Sequence, residues 1–414
     1  MALSSRGAGT AAAPSDRPAP GRGLLPLLLV GNTAMYALYI GVAGILLALQ
    51  VERVDPAAKV ANFGLIAGVS AVFATVFNPV AGALSDRTGR RNPWILGGGL
   101  AAVPAMLLLG LADTILLITL AWCLGQAVMN VYQAALTSVV PDRVPVSARG
   151  KASAAVGLGL PFGSVLGALA GAAFSEDFRT GYLVFGVIVA GAAVLFTACT
   201  REDRLPARAP LPVRAQLAAF ASALRDHDFR WAFIGRALLV LGYFAVSGYQ
   251  LYILQDHTVL PAGMRAEAAV AVLMPLTSGA MVLSTVVGGW LSDRLDRRKL
   301  FVGASALLSA VALVIPAVSA SWAAMLAFAV VNGLAFGCYM AVDTALVTMV
   351  LPVAEDAARD MGVLNIANAG PQIVAPFVAS VVVSASGGYT ALFVVAALLA
   401  VAGALAVRPI RGVR

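Results

Sequence analysis

The chain has 414 residues, 60% of them hydrophobic and only 12% charged, with a mean hydropathy of +0.89. A soluble domain carries roughly a quarter charged residues, so water is excluded as the solvent for most of this surface and the lipid bilayer takes its place. The net charge of +8 does not point to nucleic acid, because the arginines sit in short segments between apolar runs and not on one basic face.

In chain order, residues 1–23 are rich in Ala, Pro, Ser and Gly with Arg6, Arg17 and Arg22, and read as a disordered cytoplasmic tail. Twelve apolar runs follow, near 24–50, 58–85, 94–112, 114–140, 150–174, 181–200, 230–255, 267–291, 299–319, 321–350, 361–385 and 388–408. Each is long enough for a helix to cross a bilayer, which takes about 20 residues. Strands of a membrane barrel would instead alternate over ten-residue segments. The expected fold is therefore an all-α polytopic membrane protein. Its twelve helices form two pseudo-symmetric bundles, at 24–200 and 230–408, joined by a cytoplasmic linker at 201–229 and closed by a tail at 409–414. Cys123, Cys199 and Cys338 lie in or beside apolar runs and draw no disulfide framework or metal pair.

Orientation follows from the basic residues. With the N-terminus inside, 23 of the 28 Lys and Arg fall on the cytoplasmic side, whereas Arg53, Lys59, Arg179 and Arg265 lie outside and Arg236 lies within a span. Both termini are expected in the cytoplasm of a cell whose plasma membrane holds the protein.

Two segments repeat half a chain apart. GALSDRTGRR (Gly82 to Arg91) recurs as GWLSDRLDRR (Gly289 to Arg298), a shift of 207, and YQAAL before Pro141 recurs as VDTAL before Pro352. Duplication of a six-helix unit accounts for both.

The loop Gly82, Asp86, Arg87, Gly89, Arg90, Arg91, with its copy in Gly289, Asp293, Arg294, Arg297 and Arg298, resembles the signature loop of the major facilitator superfamily. The resemblance covers essentially the whole chain. It implies a secondary transporter whose two bundles rock around a central cavity. The motif glycines are expected to let two helices pack closely. Asp86 and Asp293 are expected to pair with arginines or helix ends in one gate state only, forming a conformational gate with the motif arginines. Two shorter stretches, GRRNPWILGG (Gly89 to Gly98) and GVLNIANAGPQ (Gly362 to Gln372), resemble the glycoside-pentoside-hexuronide and sucrose symporters, and imply sugar symport.

Polar residues inside apolar spans are costly unless they face protein or a water-filled cavity. They fall in stripes at helical spacing: Asn32, Tyr36 and Tyr39 in the first span, and Gln126, Asn130, Gln133 and Thr137 in the fourth. Arg236, Tyr243, Ser247 and Gln250 share a stripe in the seventh, and Asn332, Tyr339 and Asp343 in the tenth. The family resemblance places these four helices around the cavity. Amides and phenols suit a hydrogen-bonding neutral solute such as a sugar; bonding across helices as packing is the other reading. Asn365, Asn368 and Gln372 add a stripe in the eleventh span, as cavity wall or gate. Asp343, well inside its span, is the expected proton-coupling carboxylate, neutralised by a proton or by Arg236. A permanent structural pair is the alternative. Asp256 and His257 read as solvated loop residues, or as a pH-sensitive gate.

Two scattered histidines and no in-membrane acid cluster leave an enzyme without a catalytic set. The sequence holds no GxxxxGK[ST] loop, so no nucleotide or other cofactor is expected and a proton gradient supplies the energy. The expected partners are a small-molecule substrate and the lipid bilayer, with the monomer functional. A proton-antiport exporter of a drug-like or secondary metabolite is the alternative to sugar symport. A non-transporting receptor on the same fold is the alternative of another class.

Overall fold

A computed structural model of the chain describes residues 23–145, 148–202, 222, 224–349 and 357–411, with the backbone alone at 344–345, 347–349 and 357–365. The described residues form thirteen helices and no strand; a single bridge joins Val259 to Ser321. The helices are α1 (Leu24–Val54), α2 (Lys59–Thr88), α3 (Asn92–Leu111), α4 (Ile115–Arg143), α5 (Arg149–Ala173) and α6 (Phe178–Cys199). After residues 200–226 come α7 (His227–Ser247), α8 (Gln250–Asp256), α9 (Ala266–Leu295), α10 (Arg298–Val318), α11 (Trp322–Met349), α12 (Ala357–Ser386) and α13 (Thr390–Ala406). Eleven are long and apolar enough to cross a bilayer, and the 17-residue α13 is the twelfth apolar helix. At 1.5 Å per residue α13 spans about 25 Å, the short end of the crossing range.

Local chemistry sets the ends. Thr114, Asp177 and Asp226 cap α4, α6 and α7 by accepting from the backbone N–H groups of Leu117, Thr180 and Phe229 at 3.2, 3.2 and 2.8 Å, satisfying donors that the first turn leaves free. The two repeat loops end their helices alike: α2 stops at Gly89 with φ 64°, and α9 stops 207 residues later at Asp296 with φ 50°. Two irregularities have no counterpart in the sequence reading. α1 widens into a π-helix over Tyr39–Leu46, and the seventh span breaks after Ser247, so Gln250 begins α8 and leaves the α7 stripe.

Packing divides the helices into α1–α6 and α7–α13. Within the first set α1 packs on α5 and α6, α2 on α4, and α3 on α4 and α6; within the second, α9 and α10 pack on α11 and α13 on α7 and α10. The α1–α5 contact depends on glycine: a Cβ at Gly159, Gly163 or Gly167 would lie 2.5 Å from Asn32 Cβ, Tyr36 Cβ or the Ala37 carbonyl oxygen. Small residues of this kind let backbones approach where the solvent is lipid. Between the sets, the extensive seams are α2–α12 and α5–α9. Apolar side chains such as Leu120, Leu283 and Val286, each more than half exposed, face outward, as a lipid-facing surface requires.

One end of the molecule, the terminal face, carries the beginning of α1 and the segment after α13, where Lys299 Nζ donates to the carbonyls of Arg408 and Ile410, each at 2.6 Å. The far face lies opposite, at 55–58, 174–177, 257–265 and 387–389. Among the described residues, the side-chain hydrogen bonds and ion pairs that join the two sets cluster toward the far face. The passage implied by the family resemblance is the one between α1, α4, α7 and α11.

Candidate functional site

At the terminal face, the motif carboxylates pair with arginines five residues on. Arg91 forms an ion pair with Asp86, a second with Asp142 at 2.8 Å, and donates to Ser85 at 2.5 Å. Burial works against the Arg91 charge, but the hydrogen bonds and charges of Asp86 and Asp142 outweigh it and raise its pKa. Glu202 accepts from the backbone N–H groups of Arg91 and Asn92 at the start of α3 and pairs with Arg143 at 2.5 Å. In the second copy Arg298 pairs with Asp293 at 3.0 Å, and Asp293 is 65% exposed. Both copies of the loop thus hold an internal ion pair, and the first is built into a network with Ser85 and Asp142. Arg87, Arg90 and Arg297 are exposed, and Arg294 stacks on Trp290 at 5.2 Å. The motif glycines do not serve close packing as expected: a Cβ at Gly82 would meet nothing within 4 Å, and at Gly289 only Ala341 at 3.8 Å. Gly89 instead supplies the left-handed turn.

The amide stripes divide into bonded and half-buried members. Asn32 is buried between α1 and α5 and donates to the Leu28 carbonyl at 2.8 Å. Asn130 donates to the Gln126 carbonyl and accepts from Asn78 at 3.0 Å, tying α4 to α2. Asn332 accepts from Ser309 at 2.9 Å, tying α11 to α10. These three act as ties between or along helices. Tyr36, Tyr39, Gln126, Gln133, Tyr243, Gln250, Asn368 and Gln372 are half-buried; Gln372 donates to the Asn368 carbonyl at 3.1 Å. The Asn365 side chain lies outside the described residues.

Long side chains span the seam between α7 and α11. Arg236 Nε lies 3.3 Å from Asp343 Oδ2, with both residues buried, and Tyr339 sits against the same carboxylate one turn away. Seven residues along each helix, toward the far face, Tyr243 stacks on Phe336 with ring centroids 3.7 Å apart and planes 13° from parallel. An ion pair and a stacked aromatic pair are therefore consecutive layers of one seam.

The far face holds a set of contacts that sequence reasoning missed. Lys59 of α2 reaches Glu52 of α1 and Asp256 of α8, both at 2.8 Å, and lies 5.0 Å from the centre of the Tyr252 ring. Gln255 donates to Glu52 at 2.9 Å, Tyr252 to the Ala48 carbonyl at 2.8 Å, and Tyr249 to the carbonyls of Val60 and Pro376 at 3.2 and 3.1 Å. Arg265 pairs with Glu176 at 2.6 Å. Asp256 also accepts from Tyr389 at 3.1 Å; though exposed, it ends α8 and is bonded across the bundles through Lys59, not a free loop residue. His257 bonds the Pro316 carbonyl at 2.9 Å. The available signal was scarcity: of four basic residues assigned to this side, Lys59 and Arg265 both bridge the bundles.

The model of the Major Facilitator Superfamily matches residues 27–261 and 259–413. Among curated relatives, the chain is 24% identical over 341 residues to the MFS transporter asaE of Aspergillus flavus, covering 80% of this chain and 73% of that protein. It is 25% identical over 337 residues to the fujikurins efflux protein of Gibberella fujikuroi, covering 78% and 68%. Among solved structures, a peptide transporter POT in complex with sulfate superposes with a TM-score of 0.74 at 16% identity, covering 96% of each chain. With the family's model matching nearly all of its length, the chain belongs to the Major Facilitator Superfamily and is an integral membrane transporter, not an enzyme.

Proposed function

We propose that the protein is a proton-coupled exporter, exchanging protons for a small organic molecule by alternating access between the bundles 24–200 and 230–408. The observation that carries this is the buried Arg236–Asp343 pair in the α7–α11 seam: a carboxylate that holds either a proton or an arginine has two arrangements of one seam, and a gradient can drive the bundles between them. Export is favoured over sugar uptake because the fujikurins relative carries the name of an efflux protein; half-buried amides still suit a cargo with hydroxyl groups. The terminal face is the cytoplasmic one, on the weight of its basic residues, and the protein resides in the plasma membrane. Both bundles and the Arg236–Asp343 pair belong to one chain, which supports a functional monomer. Asp86 and Asp293 act as conformational latches outside it.

Proteoliposomes with an imposed pH gradient test the coupling. Asp343→Asn is expected to abolish gradient-driven accumulation while retaining cargo counterflow, and the double variant Asp343→Asn/Arg236→Gln controls for the arginine left unpaired. Accumulation and pH dependence unchanged in Asp343→Asn would overturn the reading.

A further inference from the structure

Away from the helix ends, the twelve apolar spans contain two charged residues in the whole sequence, Arg236 and Asp343. They face each other at 3.3 Å, at 7% and 2% exposure, within one bundle. Away from their ends, the half-buried polar groups of α1, α4 and α7 are phenols, amides and hydroxyls, Tyr36, Tyr39, Gln126, Gln133 and Tyr243 among them, and none is charged. In an exchange of proton for cargo, the cargo occupies the passage while Asp343 is ionised and paired, so the passage it enters has no net charge. A cation there has no free carboxylate, an anion no free guanidinium, and either would have to break the pair and strand its other member in a low-dielectric seam. A zwitterion matches both charges only by separating the same two buried side chains.

We propose that the cargo is carried uncharged, as an aromatic molecule bearing hydroxyl or amide groups. The half-buried rings of Tyr36, Tyr39 and Tyr243 suit contact with its ring, and the glutamines, each both donor and acceptor, offer partners to its polar groups. This rests on the exchange reading above, but it is tested by binding, without any gradient.

Four probes on one ring system separate the classes: 2-naphthyl β-glucoside, 2-naphthyl-trimethylammonium, 2-naphthalenesulfonate and 2-naphthylalanine. Their affinities are measured on the purified full chain in detergent by titrated thermal stabilisation. The glucoside is expected to bind at least tenfold more tightly than each of the others. Asp343→Asn, which leaves Arg236 uncompensated, is expected to raise naphthalenesulfonate affinity at least tenfold. The double variant Asp343→Asn/Arg236→Gln is expected to keep glucoside affinity within threefold. A charged or zwitterionic probe binding within tenfold of the glucoside in the unmodified chain, or no binding of the glucoside, overturns the proposal. Selective glucoside binding with no pH-driven flux would overturn the exchange reading instead and leave the charge selectivity standing.

Discussion

Arg91 and Arg298 occupy equivalent positions of a duplicated loop, yet their surroundings give them different weights. Arg91 is 6% exposed and engages Asp86, Asp142 and Ser85 together; Arg298 is 25% exposed and pairs with an Asp293 in contact with solvent. Removing one member of a buried network strands the others, at roughly 3–5 kcal/mol, whereas an exposed pair contributes about 0–1 kcal/mol. Arg91→Ala is therefore expected to lower the thermal unfolding midpoint in detergent strongly, and Arg298→Ala by a small fraction of that. Similar losses in the two variants would refute the distinction. The turn residues of the same loops give an opposite expectation. Gly89 adopts φ 64° without steric penalty, but Asp296 holds φ 50° with a Cβ. Asp296→Gly is expected to stabilise the protein by about 0.5–1 kcal/mol, read as a raised midpoint with transport unchanged.

Among elements, α1 shows how unevenly a sequence discloses its fold. Its length is legible, because an apolar run of this extent has a direct physical meaning, whereas its packing on the glycines at 159, 163 and 167 of α5 emerges only in the fold. Its π segment is not legible either, since widening by one residue leaves hydrophobic periodicity almost unchanged while shifting the register of everything beyond Leu46. The motif at Gly82 misleads in another way: the ion pair implied by its aspartate and arginine is present, but the close approach implied by its glycine is absent. Two alanine substitutions separate these cases. Gly167→Ala places a Cβ against the Ala37 backbone carbonyl, which cannot rotate away, and is expected to cost roughly 1–3 kcal/mol through overpacking and to impair transport. Gly82→Ala enters open space and is expected to leave stability within about 0.5 kcal/mol. Matched yields and midpoints for the two variants would show that the α1–α5 contact is not glycine-limited.

For the whole molecule, the repeat shift of 207 made two halves and their loops readable from sequence, because each loop folds against its own bundle. The contacts that join the bundles at the far face escaped that reading. Lys59 and Asp256 are 197 residues apart, and nothing in hydropathy or spacing joins them until both bundles exist. Once joined, Lys59 bridges the bundles by reaching Glu52 on its own side and Asp256 on the other, above Tyr249 and Tyr252, whose hydroxyls bond backbone carbonyls across the bundle boundary. These polar bridges hold the two bundles together at the far face, so their loss is expected to shift the equilibrium between facing states. A charge-assisted hydrogen bond contributes about 1.5–3 kcal/mol, reduced here because Asp256 is partly exposed. Lys59→Gln is accordingly expected to weaken far-face closure by about 1–2 kcal/mol, a roughly five- to thirty-fold rise in the population open to that side. Spin labels at Val54 and Val259, on opposite bundles beside the contact, report it as growth of a longer-distance population in pulsed dipolar spectroscopy. Restoring the short distance with Lys59→Arg, but not with Lys59→Met, would assign the effect to the charge. An unchanged distance distribution in Lys59→Gln would instead mean that Tyr249, Tyr252 and the Arg265–Glu176 pair hold the far face closed without it.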